Sequence, residues 1–391
     1  MAVETRPVIP DARYGERLVR AQALLRDRAD AALLIGVGSD LRYLTGYVAM
    51  PLERLTMLVV PPEGRCSIVV PRLEAMAAAG APGIRAGLVD VVAWDETDDA
   101  HMLVASRLAA AGVEVTGGSG RALLSDRLWA IHVLGLNRVL PGAALGLATE
   151  LLRELRMTKD PDEIALLRIA AHAADRVVAQ IAAGPLVGRT EADVSREVRE
   201  RLLAEGHELA EFAIVASGPN SASPHHEASD RVIRAGEPIV LDIGGRLDGY
   251  CSDTTRTLWV TGGDPEAGPI AEYRRLFDLL REAQAEASTT VRPGVACERI
   301  DEVARGIITA GGHGKDFIHR TGHGIGLETH EDPYLVAGNA EPLRVGMAFS
   351  VEPGIYLEGR YGARIEDIVV CAADGIDELN QASRDLFVVR G

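Results

Sequence analysis

The interpretation of this sequence begins with one stretch near its C-terminal end, Thr321-Gly322-His323-Gly324-Ile325-Gly326-Leu327-Glu328-Thr329-His330-Glu331-Asp332-Pro333. His323 and His330 stand in a run whose glycines allow other backbone segments to approach closely. Ordinary turns also contain glycines and solvated histidines, so the stretch alone does not distinguish a turn from a metal site. Acidic residues elsewhere in the chain favour a metal site with His323 as a ligand.

The first group of acids lies in residues 241–253, where Asp248-Gly249 is a turn signal between two β-prone runs. If the turn centres between Leu247 and Asp248, Asp242 and Asp253 face each other across the hairpin. Directly opposed residues are about 5.5 Å apart or less at Cβ. Two buried carboxylates at that distance repel, and one must take up a proton unless a cation lies between them.

The second group of acids lies in residues 350–367, around a turn centred at Gly359. In this hairpin Glu352 faces Glu366. One opposed pair of acids is compatible with a solvated sheet edge. Two such pairs among Val, Ile and Leu indicate bound cations, because buried charges are paired or coordinate metals.

Charge balance indicates two divalent ions. Four carboxylates carry −4 and two divalent ions carry +4, so a hydroxide bridging the two ions would be the only excess charge. His323 adds one neutral nitrogen. Oxygen-rich ligation with a single imidazole suits Mn²⁺, Co²⁺ or Fe²⁺ and tolerates Zn²⁺, and Mn²⁺ is the ion that we expect.

Composition limits the classes of function. The chain has 391 residues and a net charge of −16, which disfavours nucleic-acid binding because that needs a basic surface. No run of about 18 apolar residues occurs, so no membrane span is expected. Residues 1–20 are interrupted by charges, so we expect no signal peptide. The four cysteines are widely spaced, which fits reduced thiols in the cytoplasm and neither a disulfide framework nor a zinc knuckle.

Local patterns divide the chain into two domains. Strand-like and helical runs alternate through about residue 145, which is typical of an α/β domain. A helix start follows at residues 160–163, where Asp160 can cap, Pro161 suits the first turn and Glu163 completes a capping box. Helices and hairpins are grouped beyond this point, which indicates an α+β domain. We place the smaller α/β domain at residues 1–152 and the α+β domain at residues 153–391.

Seven motifs follow one another in the second domain: Ser217-Gly218-Pro219-Asn220-Ser221-Ala222, Pro224-His225, Asp242-Ile243-Gly244, Cys251-Ser252-Asp253-Thr254-Thr255-Arg256-Thr257, His319-Arg320-Thr321-Gly322-His323-Gly324-Ile325-Gly326, Val351-Glu352-Pro353-Gly354-Ile355-Tyr356 and Arg364-Ile365-Glu366-Asp367. In this order they resemble the metal-dependent Xaa-Pro peptidases of family M24, the prolidases and proline aminopeptidases. The resemblance covers residues 155–385 closely and the N-terminal part more loosely. It implies a pita-bread catalytic domain after a creatinase/prolidase-type α/β domain, and a homodimer, since family members are usually dimeric.

The same resemblance implies a complete set of metal ligands. Asp242 and Asp253 would bind one ion, with Asp253 bridging to the other. His323 and Glu352 would bind the second ion, with Glu366 bridging. Glu352 is also the expected proton shuttle to the departing nitrogen.

Three further histidines are expected on the substrate side. His225 and His330 would contact the scissile group, stabilise the oxyanion and move protons. His319 would line the pocket for the proline ring. We expect His226, the neighbour of His225, to be solvated.

Two other residues are expected to support binding. Arg364 would anchor either the metal cluster or a substrate carboxylate. Tyr250 would donate a hydrogen bond to a ligand carboxylate. With His319, these two residues form the predicted substrate-binding group.

The function implied is hydrolysis of the peptide bond before proline by a hydroxide that bridges two metal ions. The expected enzyme is an Xaa-Pro dipeptidase that takes proline-containing dipeptides, and the Xaa-Pro aminopeptidases share all these residues. A metal-dependent hydrolase or lyase of another small substrate can retain the same ligands and stays open. A metal-free creatinase-like enzyme or a non-catalytic binding relative is disfavoured, because all five ligand positions are filled.

Overall fold

The computed structural model describes residues 6–115 and 120–390. These residues form two compact units, Val8–Arg156 and a second unit that contains Arg6, Pro7 and the residues from Met157 onward. The domain limits 1–152 and 153–391 stay predictions. The expectation that the chain has no signal peptide concerns residues 1–20, and residues 1–5 of that segment lie outside the described residues. No helix in the described ranges has both the length and the apolarity that crossing a membrane requires.

The unit Val8–Arg156 contains a six-stranded sheet with helices, as predicted for an α/β domain. Its helices are α1 Asp11–Arg28, α2 Ser39–Thr45, α3 Ala75–Gly80, α4 Pro82–Arg85, α5 Ala100–Ala110, α6 Ala130–Val139 and α7 Thr149–Arg156. Its strands are β1 Ala32–Ile35, β2 Met57–Val60, β3 Cys66–Pro71, β4 Val89–Trp94, β5 Arg121–Leu124 and β6 Ala144–Leu147. The strand order is β4-β3-β2-β1-β5-β6. Val104 of α5 and Leu136 of α6 pack on the sheet in one buried cluster.

The unit from Met157 onward contains the remaining elements. Its helices are α8 Pro161–Ala183, α9 Glu191–Ala204, α10 Ala271–Thr289 and α11 Cys297–Ala310. Its strands are β7 Leu209–Ser217, β8 Glu237–Leu247, β9 Tyr250–Val260, β10 Gly322–Gly324, β11 Glu331–Leu335, β12 Ala348–Val351, β13 Gly354–Leu357, β14 Tyr361–Arg364, β15 Asp367–Ala372, β16 Gly375–Glu378 and β17 Phe387–Val389. The predicted capping box starts α8, since Asp160 accepts from the Glu163 N–H and the Glu163 carboxylate accepts from the Asp160 N–H.

Two helices pack on each main sheet of this unit. Helices α8 and α9 share a buried cluster with the sheet β17-β9-β8-β7, through residues such as Val178 and Leu241. Helices α10 and α11 share another with the sheet β11-β10-β12-β15-β16, through residues such as Ile300 and Phe349. Paired helices beside mostly antiparallel strands confirm the predicted α+β class.

The first acidic hairpin turns one position later than predicted. Leu247 pairs with Tyr250, so the turn residues are Asp248 and Gly249. Both have positive φ, 48° and 92°, as the favoured two-residue hairpin turns require.

This register changes the partners of the two aspartates. Asp253 faces Gly244 and Asp242 faces Thr255, so the prediction that Asp242 and Asp253 are directly opposed is wrong. The later turn moves each partner by two positions. Because side chains alternate with a period of two, both aspartates still lie on the same sheet face, one diagonal step apart.

The second acidic hairpin has the predicted register. The pairing of Gly354 with Arg364 places Glu352 across from Glu366. Each glutamate lies in a gap between strands, Glu352 between β12 and β13 and Glu366 between β14 and β15. The strand pairing is therefore interrupted where the two carboxylates meet.

Candidate metal centre

A cavity of about 850 Å³ lies within the unit from Met157 onward, and the predicted metal ligands line it together. Three overlapping groups have ligand atoms within 4.8 Å of one another: Asp253, His323 and His330; His323, Glu352 and Glu366; Asp242, Asp253 and Glu366. Both acidic hairpins and the glycine-rich stretch therefore converge on one point.

The glycines beside His323 allow strand β10 to pack tightly between its neighbours. A Cβ atom at Gly322 would collide with the Ser350 carbonyl oxygen of β12, and one at Gly324 would collide with the backbone of β11. The Ser350 hydroxyl accepts from the His323 N–H at 3.0 Å and donates to Glu352 Oε1 at 3.1 Å. The same serine therefore orients two of the predicted ligands.

His323 presents an unprotonated nitrogen to the carboxylates. Its Nδ1 lies 3.1 Å from the Gly324 carbonyl oxygen, which can only accept, so Nδ1 carries the proton. Burial lowers the pKa of His323, which keeps the ring neutral. Its Nε2 lone pair then faces Glu352 Oε1 at 3.1 Å and Asp253 Oδ2 at 3.6 Å. A lone pair facing two carboxylates is unfavourable unless a cation lies between them.

Two carboxylate oxygens of the site receive no hydrogen bond. Asp242 Oδ1 and Glu366 Oε1 are buried and have no donor among the described residues. The second oxygen of each is held, because Arg364 Nη2 donates to Asp242 Oδ2 and Thr255 Oγ1 donates to Glu366 Oε2 at 2.7 Å. Each carboxylate is oriented through one oxygen and keeps the other for a ligand.

The crowded acids raise the pKa of one another. Burial, followed by the charges of Glu366, Asp242 and Glu352, raises the pKa of Asp253 well above its ordinary value. Burial is also the largest cause that raises the pKa of Glu366 to about 8 and that of Glu352 to about 7. At neutral pH these groups ionise together only if cations compensate their charge.

The donor set fits two divalent cations. It offers four carboxylates and one imidazole whose second nitrogen is fixed by a backbone carbonyl, as is usual for a metal-binding histidine. The four cysteines are buried and free, and none of them belongs to the described groups of candidate ligands. This chemistry suits Mn²⁺, Fe²⁺ or Co²⁺ and tolerates Zn²⁺.

The three histidines predicted on the substrate side line the same cavity. His225 is exposed on the loop after β7. The ring of His330 packs edge-on against His323 with centroids 4.1 Å apart, and burial is the largest cause that lowers the pKa of His330 to about 4. His319 Nε2 lies 2.9 Å from the Tyr356 hydroxyl, and burial lowers the pKa of His319 to about 3.

Arg364 lines the cavity, but its donors are directed mainly at the protein. Besides Asp242, its guanidinium donates to Thr255 Oγ1 at 3.0 Å, to the Tyr356 hydroxyl at 3.0 Å and to the Pro224 carbonyl at 3.2 Å. Of the two predicted roles, these contacts favour support of the metal ligands.

Tyr250 lies elsewhere. Its hydroxyl donates to Glu163 Oε1 at 2.9 Å, at the start of helix α8, and Tyr250 is not among the described residues that line the cavity. Because a hydroxyl has one proton, the predicted donation to a metal-ligand carboxylate is wrong. The tyrosine instead links the turn of the first hairpin to the helix start.

His226 is held rather than solvated, so that prediction is wrong. Its Nε2 lies 2.7 Å from Glu191 Oε2. Glu191 is buried and also accepts hydrogen bonds from Ser217, Asn220 and Ser229. This carboxylate, which the sequence reasoning missed, fixes the loop that carries His225.

Other lining residues were also missed. The wall includes the apolar residues Phe212, Ile214 and Ile318, together with Arg320. Arg320 stands inside the motif next to His319, so its position in the sequence was a usable signal. The apolar residues carried no signal, because nothing in a strand pattern shows which face borders a cavity.

Comparisons with known proteins match both parts of the chain. The model of metallopeptidase family M24 matches residues 165–373, and that of the creatinase/prolidase N-terminal domain matches residues 17–158. A probable dipeptidase PepE of Mycobacterium tuberculosis is 44% identical over 377 residues, which are 96% of each chain. An Xaa-Pro dipeptidase of Lactobacillus helveticus is 32% identical over 95% of this chain and 98% of its own length. The crystal structure of dipeptidase PepE from Mycobacterium ulcerans superposes with a TM-score of 0.89 at 43% identity, covering 97% of this chain and 99% of the other.

Proposed function

This chain belongs to metallopeptidase family M24, with a creatinase/prolidase-type N-terminal domain before a pita-bread catalytic domain, and we propose that it is an Xaa-Pro dipeptidase. The family and fold confirm the expectations drawn from the sequence motifs. The dipeptidase of Lactobacillus helveticus, which is named for Xaa-Pro substrates, supports the substrate class.

One observation carries the proposal for metal chemistry. The unprotonated Nε2 of His323 faces the oxygens of Glu352 and Asp253, beside two buried carboxylate oxygens that have no described donor. We propose Asp242 and Asp253 as ligands of one divalent ion, and His323 and Glu352 as ligands of the other. Asp253 and Glu366 would bridge the two ions. When bound, such ions polarise the scissile carbonyl and activate water.

The chain's own residues would bind and orient the peptide. Burial is the largest cause that lowers the pKa of His330 to about 4, so at pH 7 its neutral ring can donate an N–H to a developing oxyanion. His225, exposed on its loop, lines the same cavity, and we propose that it also contacts the scissile group. Glu352 would pass a proton to the departing nitrogen of proline.

The apolar wall supports selection for proline. An Xaa-Pro bond is a tertiary amide without an N–H, so shape must take the place of a donor contact. Phe212, Ile214 and Ile318 provide apolar surface, and His319 borders the same space. Burial lowers the pKa of His319 to about 3, which keeps that surface uncharged.

Hydrolysis of an Xaa-Pro dipeptide and of the matching Xaa-Pro-Yaa tripeptide tests the proposal. A dipeptidase cleaves the first and discriminates strongly against the second. Cleavage of the tripeptide alone contradicts the proposal and identifies an Xaa-Pro aminopeptidase. The choice of Mn²⁺, the homodimer and the cytoplasmic location stay predictions.

A further inference from the structure

Arg320 lines the cavity and has no ion-pair partner among the residues that the structure describes. Its guanidinium stacks on the ring of Tyr334, 4.4 Å from the ring centroid. In the part of the chain that the structure describes, its side chain makes no ion pair and no hydrogen bond. A half-buried arginine beside four carboxylates would be expected to pair with one of them, so the stacking on Tyr334 holds it away from them.

The position of Arg320 is fixed relative to the metal centre. Tyr334 of β11 is the cross-strand partner of His323 in β10. The ring that supports the guanidinium therefore belongs to the same ladder as a proposed ligand. The aromatic face restrains the arginine while its N–H groups stay free for a bound anion.

Arg364 contrasts with Arg320. The guanidinium of Arg364 donates to four protein groups, among them Asp242 and the Tyr356 hydroxyl. A substrate carboxylate at Arg364 would displace contacts that orient the ligands. Arg320 can bind a carboxylate through two parallel hydrogen bonds without breaking any described contact.

The substrate of a dipeptidase carries a carboxylate close to the reacting bond. In an Xaa-Pro dipeptide the free carboxylate is attached to the proline Cα, which is bonded directly to the scissile nitrogen. It therefore enters the cavity with the scissile bond, where the two arginines of the lining are Arg320 and Arg364.

We propose that Arg320 binds the free C-terminal carboxylate of the dipeptide and so sets the preference for dipeptides over longer peptides. This inference rests on the proposed Xaa-Pro dipeptidase function and names a residue that determines its specificity. In a longer peptide or a C-terminal amide the carboxylate is absent from this position, and the stacked guanidinium gains no charged partner.

The test compares an Xaa-Pro dipeptide with its C-terminal amide, using Arg320→Ala, Arg320→Lys and the control Arg360→Ala. Arg360 also stacks on a tyrosine, 4.9 Å from the Tyr361 centroid, but it pairs with Glu272 and does not line the cavity. For Arg320→Ala we expect kcat/KM on the dipeptide to fall about 10- to 100-fold, mainly through KM, because a hydrogen-bonded charge is lost. Activity on the amide should change less than about twofold, Arg320→Lys should lose less than Arg320→Ala, and Arg360→Ala should match the wild type.

Metal content and melting temperature of each variant show whether the centre stays intact. Equal losses on the dipeptide and the amide in Arg320→Ala, or no loss on the dipeptide, overturn the inference. If Arg320→Ala does not fold, the Arg320→Lys ratio between the two substrates decides the question in the same way. A wild type that cleaves no Xaa-Pro substrate refutes the proposed function, whereas a wild type that cleaves dipeptide and amide equally leaves it standing and refutes the role of Arg320.

Discussion

Two places in the catalytic unit bury carboxylates in opposite ways. Glu191 accepts from Ser217, Asn220, His226 and Ser229, and these donors outweigh its burial and lower its pKa to about 2. Among the proposed metal ligands, burial and the charges of neighbouring carboxylates raise the pKa values of Asp253, Glu352 and Glu366. Two buried oxygens of this group, Asp242 Oδ1 and Glu366 Oε1, have no described donor. The protein satisfies the charge of Glu191 with its own donors, and we propose that cations compensate the second set of carboxylates.

Asp253→Asn tests whether the crowded carboxylates bind metal ions, and we expect the largest effect from this variant. If Asp253 bridges the two proposed ions, its loss as a carboxylate removes one negative charge that both ion sites share. We expect kcat/KM on an Xaa-Pro dipeptide to fall by about 10³-fold or more, with fewer than two ions bound. Steady-state kinetics and elemental analysis measure both. Asp248→Asn, in the exposed turn of the same hairpin, should retain activity and metal, and full activity in Asp253→Asn would contradict the bridging role.

Glu191→Ala tests the carboxylate whose charge is satisfied by protein donors. Without the carboxylate, several donors in the loop after β7 lose their acceptor, and we expect unfolding free energy to fall by about 2–4 kcal/mol. Urea denaturation measures it. Ser106→Ala, on an exposed helix surface, is the control.

The stability difference between wild type and Glu191→Gln should depend on pH. The folded pKa of Glu191 is lowered from 4.5 to about 2, so its ionised form stabilises the protein above pH 4.5, and this contribution is lost as the pH falls from 4.5 towards 2. The stability difference between wild type and Glu191→Gln should therefore shrink in that range. A difference that does not depend on pH would show that the donors do not hold an ionised carboxylate.

The effect of Glu366→Gln on the melting temperature should have opposite signs in chelated and in metal-loaded protein. In chelated protein the folded pKa of Glu366 is raised to about 8, so the wild type loses stability as the pH rises from 4.5 through 8. Removing the charge should raise the melting temperature of the chelated protein by about 2–4 °C at pH 8, equivalent to about 1 kcal/mol. With metal present the same change should lower it. A change in melting temperature with the same sign in both conditions would contradict the claim that cations compensate the charge of Glu366.

Tyr250→Phe should have the smallest effect. Glu163 resembles Glu191 in being held by protein donors, the Tyr250 hydroxyl and the Asp160 N–H. Losing one such bond should cost about 1 kcal/mol of stability and change kcat/KM less than about twofold. A large loss of activity with normal stability would restore the predicted role of Tyr250 at the metal ligands.

The sequence predicted that the five proposed metal ligands gather at one place, and the structure brings them together, but the predicted register of the first hairpin was wrong. The turn signal at Asp248-Gly249 was read one position early, and the error kept Asp242 and Asp253 on one face because it moved their partners by two. In the second hairpin the register of Glu352 and Glu366 was right. Because side chains alternate along a strand, an error of one position in the turn changes which residues pair but not which residues share a face.

The supporting contacts could not be predicted. Glu191 gathers donors 26 to 38 residues away in sequence, and nothing in a helix-start pattern names them. Arg320 stands in the motif, but its availability depends on the ring of Tyr334 across a strand pair. Such contacts depend on tertiary structure, whereas the proposed metal ligands are recognisable in the sequence as acids and a histidine in apolar surroundings, where charge is unexpected.

The metal content of protein purified without added metal tests the central claim most directly. Elemental analysis should find two divalent ions per chain, and removal by a chelator should abolish hydrolysis of an Xaa-Pro dipeptide until divalent ions are restored. Fully active protein with no divalent ion, or with a single ion that saturates activity, would contradict the two-ion centre at Asp242, Asp253, His323, Glu352 and Glu366.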